Sequence, residues 1–163
     1  MKKVVSMILM LALASLVAAQ PMKSATVDQL VDQLAGPDQP KTRSLRNLKP
    51  EPRNIDLLIQ FDFDSAKLQA SSKPLLANLA AAMRADRLMD IRFHVEGHTD
   101  AKGTEAYNLN LSQKRADSVV HYLIELGIPS ERLASSGKGF SELLFPDQPH
   151  AMENRRVRIV TLP

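Results

Sequence analysis

The sequence predicts an α+β fold: a two-layer domain in the order β-α-β-α-β-β, with helices packed on a mixed sheet. Three observations predict it. Apolar and polar residues alternate around positions 55–63 and 91–96, the period of half-buried strands. Two segments following them repeat apolar residues at helical spacing. Two short strand-like segments, RLASSGKGF and RRVRIVTL, then close the chain. At 163 residues and 44% hydrophobic content, the chain has room for one modest domain with appendages.

Each element has its own justification. Lys2 and Lys3 precede an apolar run from Val4 to Ala19, interrupted only by Ser6 and Ser15 and closing on Val17, Ala18 and Ala19. This predicts a secretory signal peptide over residues 1–19, because the run is shorter than the roughly 20 residues a spanning helix needs. An uncleaved anchor is the alternative. Residues 20–54 are expected to hold a short amphipathic helix and a Pro-rich linker. The helix, 26–35, places Val27, Leu30, Val31 and Leu34 on one face, with Thr26 and Gln29 spaced as a capping box and Gly36-Pro37 ending it. Its apolar face can dock on an envelope partner or on its own domain. Pro37, Pro40, Pro50 and Pro52 mark the linker.

The domain is expected over 55–163. Strand one carries Ile55, Leu57, Ile59, Phe61 and Phe63 on one face. Ser71 or Ser72 caps the next helix, with Pro74 in its first turn and Leu75, Leu79, Ala82 and Met83 inward. Ile91, Phe93 and Val95 form strand two, which leads into the loop GHTDAKG. A second helix is expected to open near Ser112, with Ala116, Val119, Val120, Leu123 and Ile124 inward, and to stop at Gly127 and Pro129.

Composition excludes several chemistries. With no cysteine there is no disulfide, thiolate nucleophile or Cys-ligated metal. Removing Lys2 and Lys3 from the 21 basic residues leaves a near balance with 18 acidic ones, so no nucleic-acid partner is expected. His94, Glu96 and His98 look like a metal set, but on a strand His94 and His98 stand roughly 13 Å apart and cannot share one ion. His121 and His150 read as surface residues. No nucleophile elbow or glycine-rich phosphate loop is present, Asp62 and Asp64 read as a solvated strand end, and neither a catalytic centre nor a cofactor is expected.

What remains is GHTDAKGTEAYNLNLSQKRADSVVHYL, where Asp100 ends a strand and Arg115 is expected in the first turn of the following helix. A carboxylate and a guanidinium so placed can bracket a zwitterion, the one accepting from an ammonium and the other donating to a carboxylate. They can equally form a surface ion pair. Spacing alone leaves both readings open.

These blocks resemble a known family, the C-terminal domain of outer membrane protein A, shared with peptidoglycan-associated lipoprotein and flagellar stator proteins. The resemblance runs from about Ile59 to Val160 and includes IQFDFDSAKL, VEGHTDAKGTEAYNLNLSQKRADSVVHYL, LGIPSERL, GKG and NRRVRI in order. It implies non-covalent binding of peptidoglycan through the diaminopimelate of the stem peptide, without catalysis. It carries the principal ligand contacts onto Asp100 and Arg115, and secondary ones onto Asn108, Asn154, Arg155 and Arg156. Thr99 is implied as a further contact, with Gly97 and Gly103 as turn positions. The implied location is the periplasm or cell envelope of a Gram-negative cell, with outer-membrane association one option. The sequence departs from the family in offering no barrel, lipid-accepting cysteine or stator-type helix, and in Leu143, Leu144 and Phe145 where a polar loop is expected. Two rival readings stay open: a wall hydrolase, and an adaptor acting through residues 26–35.

Overall fold

The computed structural model describes residues 20–37 and 51–162, so the signal-peptide reading and most of the linker lie outside the described residues. Within them the elements run α1 (Val27–Ala35), β1 (Asn54–Leu57), α2 (Lys73–Met83), β2 (Arg92–His98), α3 (Glu105–Glu125), β3 (Leu133–Gly139) and β4 (Val157–Leu162). The sheet order is β1-β4-β2-β3. β4 pairs antiparallel with both β1 and β2, and α3 crosses over to set β3 parallel to β2. The sheet is mixed and the fold is α+β, as the sequence predicts.

The alternation along the strands explains which face is covered. Ile55 and Leu57, Phe93 and Val95, and Val157 and Ile159 are buried in one cluster with Leu75, Leu76, Leu79 and Met83 of α2 and Ala116, Val119 and Leu123 of α3. Two glycines let α3 lie close on β2 and β3. A Cβ at Gly97 would fall 2.1 Å from the Ser112 carbonyl oxygen, and one at Gly137 would fall 2.5 Å from the Gln113 nitrogen. Gly97 therefore serves a close helix–strand approach inside β2, not the turn expected of it. Hydrogen bonds complete this contact: Gly139 N donates to Ser112 Oγ at 2.9 Å, and Gly137 N to Gln113 Oε1 at 2.8 Å.

Five expectations need correcting. Strand one ends at Leu57, because the chain then turns aside for a bridge between Phe61 and Leu68. Phe63, expected to face inward, is fully exposed. The second helix starts at Glu105, with Thr104 Oγ1 capping Tyr107 N, which places Arg115 beyond its first turn. Tyr107 and Leu109, both exposed, had hidden the inward stripe of its early turns, and Ile124, expected inward, is also exposed. Finally, α1 is not set apart from the domain. Its capping box forms as predicted, and Leu30, Val31 and Leu34 enter the common core. The apolar face that could have met an envelope partner is thus covered by the protein's own fold, and residue 55 does not mark the edge of the packed unit.

Candidate functional site

Three segments meet at one end of the sheet to enclose a cleft of about 730 Å³: residues 61–69 after β1, the β2–α3 connection from Thr99 to Gly103, and the first turns of α3. The first segment folds back on itself, Asp62 N donating to the Lys67 carbonyl at 2.9 Å and Gln69 N to the Gln60 carbonyl at 3.0 Å. Its tightest point is Asp64, at φ 50°. The second segment turns at Gly103, whose φ of 87° suits a residue without a Cβ. Asn108 clasps that turn from inside, its Nδ2 donating to the carbonyls of Lys102 at 2.7 Å and Thr104 at 3.0 Å.

Asp100 is only 6% exposed. Its Oδ1 accepts from Lys102 N at 3.1 Å and its Oδ2 from Arg155 at 2.7 Å. Arg115 reaches across from α3, donates from Nε to the Ser65 carbonyl at 3.0 Å, and lays its guanidinium over the Phe61 ring at 5.0 Å. Its terminal nitrogens find no acceptor among the described residues. Burial and the like charge of Arg155 lower the Arg115 pKa, with Asp100 and Asp64 acting in the opposite sense. The cleft thus holds a carboxylate with spare acceptor sites and a planar guanidinium with spare donors.

Of the residues singled out from sequence, Thr99, Asp100, Asn108, Arg115 and Arg155 all line this cleft. Asp100 and Arg115 do not pair with each other, so the simple ion-pair reading does not describe them. Thr99 N donates to the Gly139 carbonyl at 2.8 Å, and its hydroxyl is buried without a partner. Arg156 is placed elsewhere. It is 3% exposed and donates to Asp56 at 2.9 Å, a structural tie and not a ligand contact. Asn154 likewise braces a loop, accepting from Phe145 N and donating to the Gln148 carbonyl. Sequence alone does not mark Phe61 and Ser65 as site residues, since Arg115 meets them across some fifty residues. No local pattern signals such a contact.

Fold and cleft together define an α+β domain with an open, charged cleft at one end of its sheet. The chain belongs to the OmpA family, whose pattern matches residues 60–157. It is 44% identical over 79 residues to "Outer membrane protein A" of Bordetella avium, a match covering 48% of this chain and 40% of that protein. The match therefore spans about two fifths of that relative. Among solved structures, the peptidoglycan-associated lipoprotein from Burkholderia pseudomallei superposes with a TM-score of 0.55 at 31% identity, covering 64% of this chain and 88% of the other. The cell wall anchor of the T6SS from Pseudomonas aeruginosa gives 0.56 at 26% identity, covering 68% and 81%. These relatives bear the names of outer-membrane, peptidoglycan-associated and cell-wall-anchoring proteins.

Proposed function

We propose that the protein is exported by its first 19 residues and binds peptidoglycan non-covalently in the cell envelope, holding the diaminopimelate of the stem peptide in the Asp100–Arg115 cleft. One observation carries this reading: a buried carboxylate and an unmatched guanidinium share one open cleft. Diaminopimelate ends in an ammonium and a carboxylate on the same carbon. Asp100 keeps lone pairs beyond those used by Lys102 and Arg155, and these take the ammonium. Arg115 offers its terminal nitrogens to the carboxylate, and Phe61 beneath the guanidinium fixes their plane. Asn108 contributes by holding the loop, and Arg155 adds a second positive charge. The names of the relatives, one peptidoglycan-associated and one a cell wall anchor, support the ligand class.

The test is isothermal titration of the mature protein with stem peptides that differ only in carrying diaminopimelate or lysine. Lysine lacks the second carboxylate and leaves Arg115 unpaired. A hydrogen bond to a charged group contributes roughly 1.5–3 kcal/mol, so the lysine peptide should bind about tenfold to over a hundredfold more weakly. Arg115→Ala and Asp100→Asn should each lose most of the binding, Asn being chosen because it can still accept from Lys102 N. Arg115→Lys should rescue poorly, since it loses the planar fork. Equal affinity for the two peptides would overturn the clamp.

A further inference from the structure

A second groove of about 310 Å³ adjoins the cleft and shares Phe61, Gln69, Arg115 and Arg155 with it. Its own wall adds Lys23, beside an apolar floor of Leu58, Ile59 and Met152. Three cations therefore line this groove, and no carboxylate does. Lys23 stands on backbone tied down from both sides. Met22 N donates to the Asp56 carbonyl and Leu58 N to the Met22 carbonyl, both at 2.8 Å, while Asn78 Nδ2 donates to the Ala25 carbonyl at 2.8 Å. The segment ahead of α1 is thus fastened to β1 and α2, at the side where the groove leaves the cleft. It also lies outside residues 60–157, so the family pattern does not account for it.

We infer that Lys23, Arg115 and Arg155 form a second, anion-binding subsite that receives another carboxylate of the same stem peptide, next to the diaminopimelate. The inference rests on the clamp reading above. Like charges around a shared concavity oppose one another, and an anion seated among them relieves that repulsion. A stem peptide offers two carboxylates of this kind: the α-carboxylate of the γ-linked glutamate before diaminopimelate, and the C-terminal carboxylate after it. The chemistry recognised is the same for both.

The experiment titrates the mature protein and its Lys23→Ala and Lys23→Glu variants with three diaminopimelate peptides: one unmodified, one amidated at the glutamate α-carboxylate, and one amidated at the C-terminus. Lys23 is exposed, so neither variant should disturb folding. Lys23→Ala should weaken the unmodified peptide about two- to fivefold, as expected of a partly solvated ion pair. Lys23→Glu should weaken it about tenfold, because attraction becomes repulsion. With one of the amidated peptides the Lys23→Ala loss should vanish, and which one identifies the carboxylate. Unchanged affinity in both variants, or an equal loss with all three peptides, would overturn the subsite. The clamp is judged separately. A wild type that prefers diaminopimelate over lysine while ignoring Lys23 overturns only the subsite, whereas one indifferent to diaminopimelate overturns both.

Discussion

Asp56 and Asp100 are both nearly buried aspartates that meet arginines, yet they sit in opposite situations. Asp56 accepts from Arg156 Nε at 2.9 Å and from Arg158 at 2.9 and 3.0 Å, and Arg156 spends its remaining reach on the Glu142 carbonyl at 3.1 Å. The Arg156 side chain is 1% exposed, and every charge there is answered within the chain. Asp100 receives one guanidinium, the half-exposed Arg155, while Arg115 in the same cleft faces no carboxylate within bonding reach. The difference teaches how to read such clusters. A closed set of charges holds the fold together, and the open set is where we propose that the ligand binds.

The sharpest way to break this comparison is to open the closed cluster. Asp56→Ala strands Arg156 and Arg158 without their carboxylate, and removing one partner of a buried pair costs about 3–5 kcal/mol. Urea unfolding should show that loss, while affinity for the diaminopimelate peptide, measured where the variant is still folded, should stay within about twofold. A variant as stable as wild type would show that the cluster is not what ties β1 to β4.

This contrast also marks what could be read from sequence. The core of each strand, the glycine stop of α3 and the α1 capping box were legible because each is a local pattern of period, cap and stop, whereas the start of α3 and the end of strand one were not. Asp100 and Arg115 stand out by position and charge, but spacing leaves a ligand clamp and an ion pair equally open, and Arg155 enters only through resemblance. Nothing in the sequence separates Arg155 from its neighbour Arg156, though one enters the cleft and the other the buried cluster. Entry into β4 decides it, since successive residues there face opposite ways. The burial of α1 was half legible: its apolar stripe was plain, but the surface that covers it is assembled from distant elements.

A second measurement sharpens the comparison through pH. His98 lies against the closed cluster, and its pKa falls to about 3 because burial disfavours the imidazolium and because Arg156 and Arg158 repel it. Its Nε2 stands 3.8 Å from Glu96, but a neutral imidazole makes no ion pair there. The unfolded chain takes up this proton below about pH 6.5, whereas the folded chain does so only near 3. Stability should therefore fall as pH drops through that window, by up to about 1.4 kcal/mol per pH unit, and level off below it. At Asp56, burial would raise the pKa, but the bonds and charges of Arg158 and Arg156 outweigh it and hold it below the usual value. Its contribution is present above about pH 3.8 and is lost as pH falls through the lower folded value. Urea midpoints of wild type and His98→Gln between pH 7 and 3 separate the two. The variant should flatten the upper part of the curve only, and an unchanged slope would mean that His98 titrates normally.

The smallest expected effect is the most discriminating, because it compares two adjacent arginines. Arg155 is 41% exposed along its side chain and makes one ion pair, with Asp100 at 2.7 Å. The Arg155 end of this pair is open to water, and Asp100 keeps its bond from Lys102 N, so Arg155→Ala should lower the unfolding free energy by only about 1 kcal/mol. Arg156→Ala removes a buried guanidinium and leaves Asp56 with one partner, so it should lower stability several times more. Binding should show the reverse order. Losing Arg155 takes one cation from the cleft and from the adjoining groove, which should weaken the diaminopimelate peptide about two- to fivefold, and Arg155→Lys should recover part of that through charge alone. The Arg156→Ala protein that remains folded should bind like wild type, since Arg156 does not reach the cleft. Paired urea unfolding and peptide titration of these variants decide the matter. If Arg155→Ala were the less stable protein, or if Arg156→Ala were the weaker binder, the division between a closed cluster and an open one would be wrong.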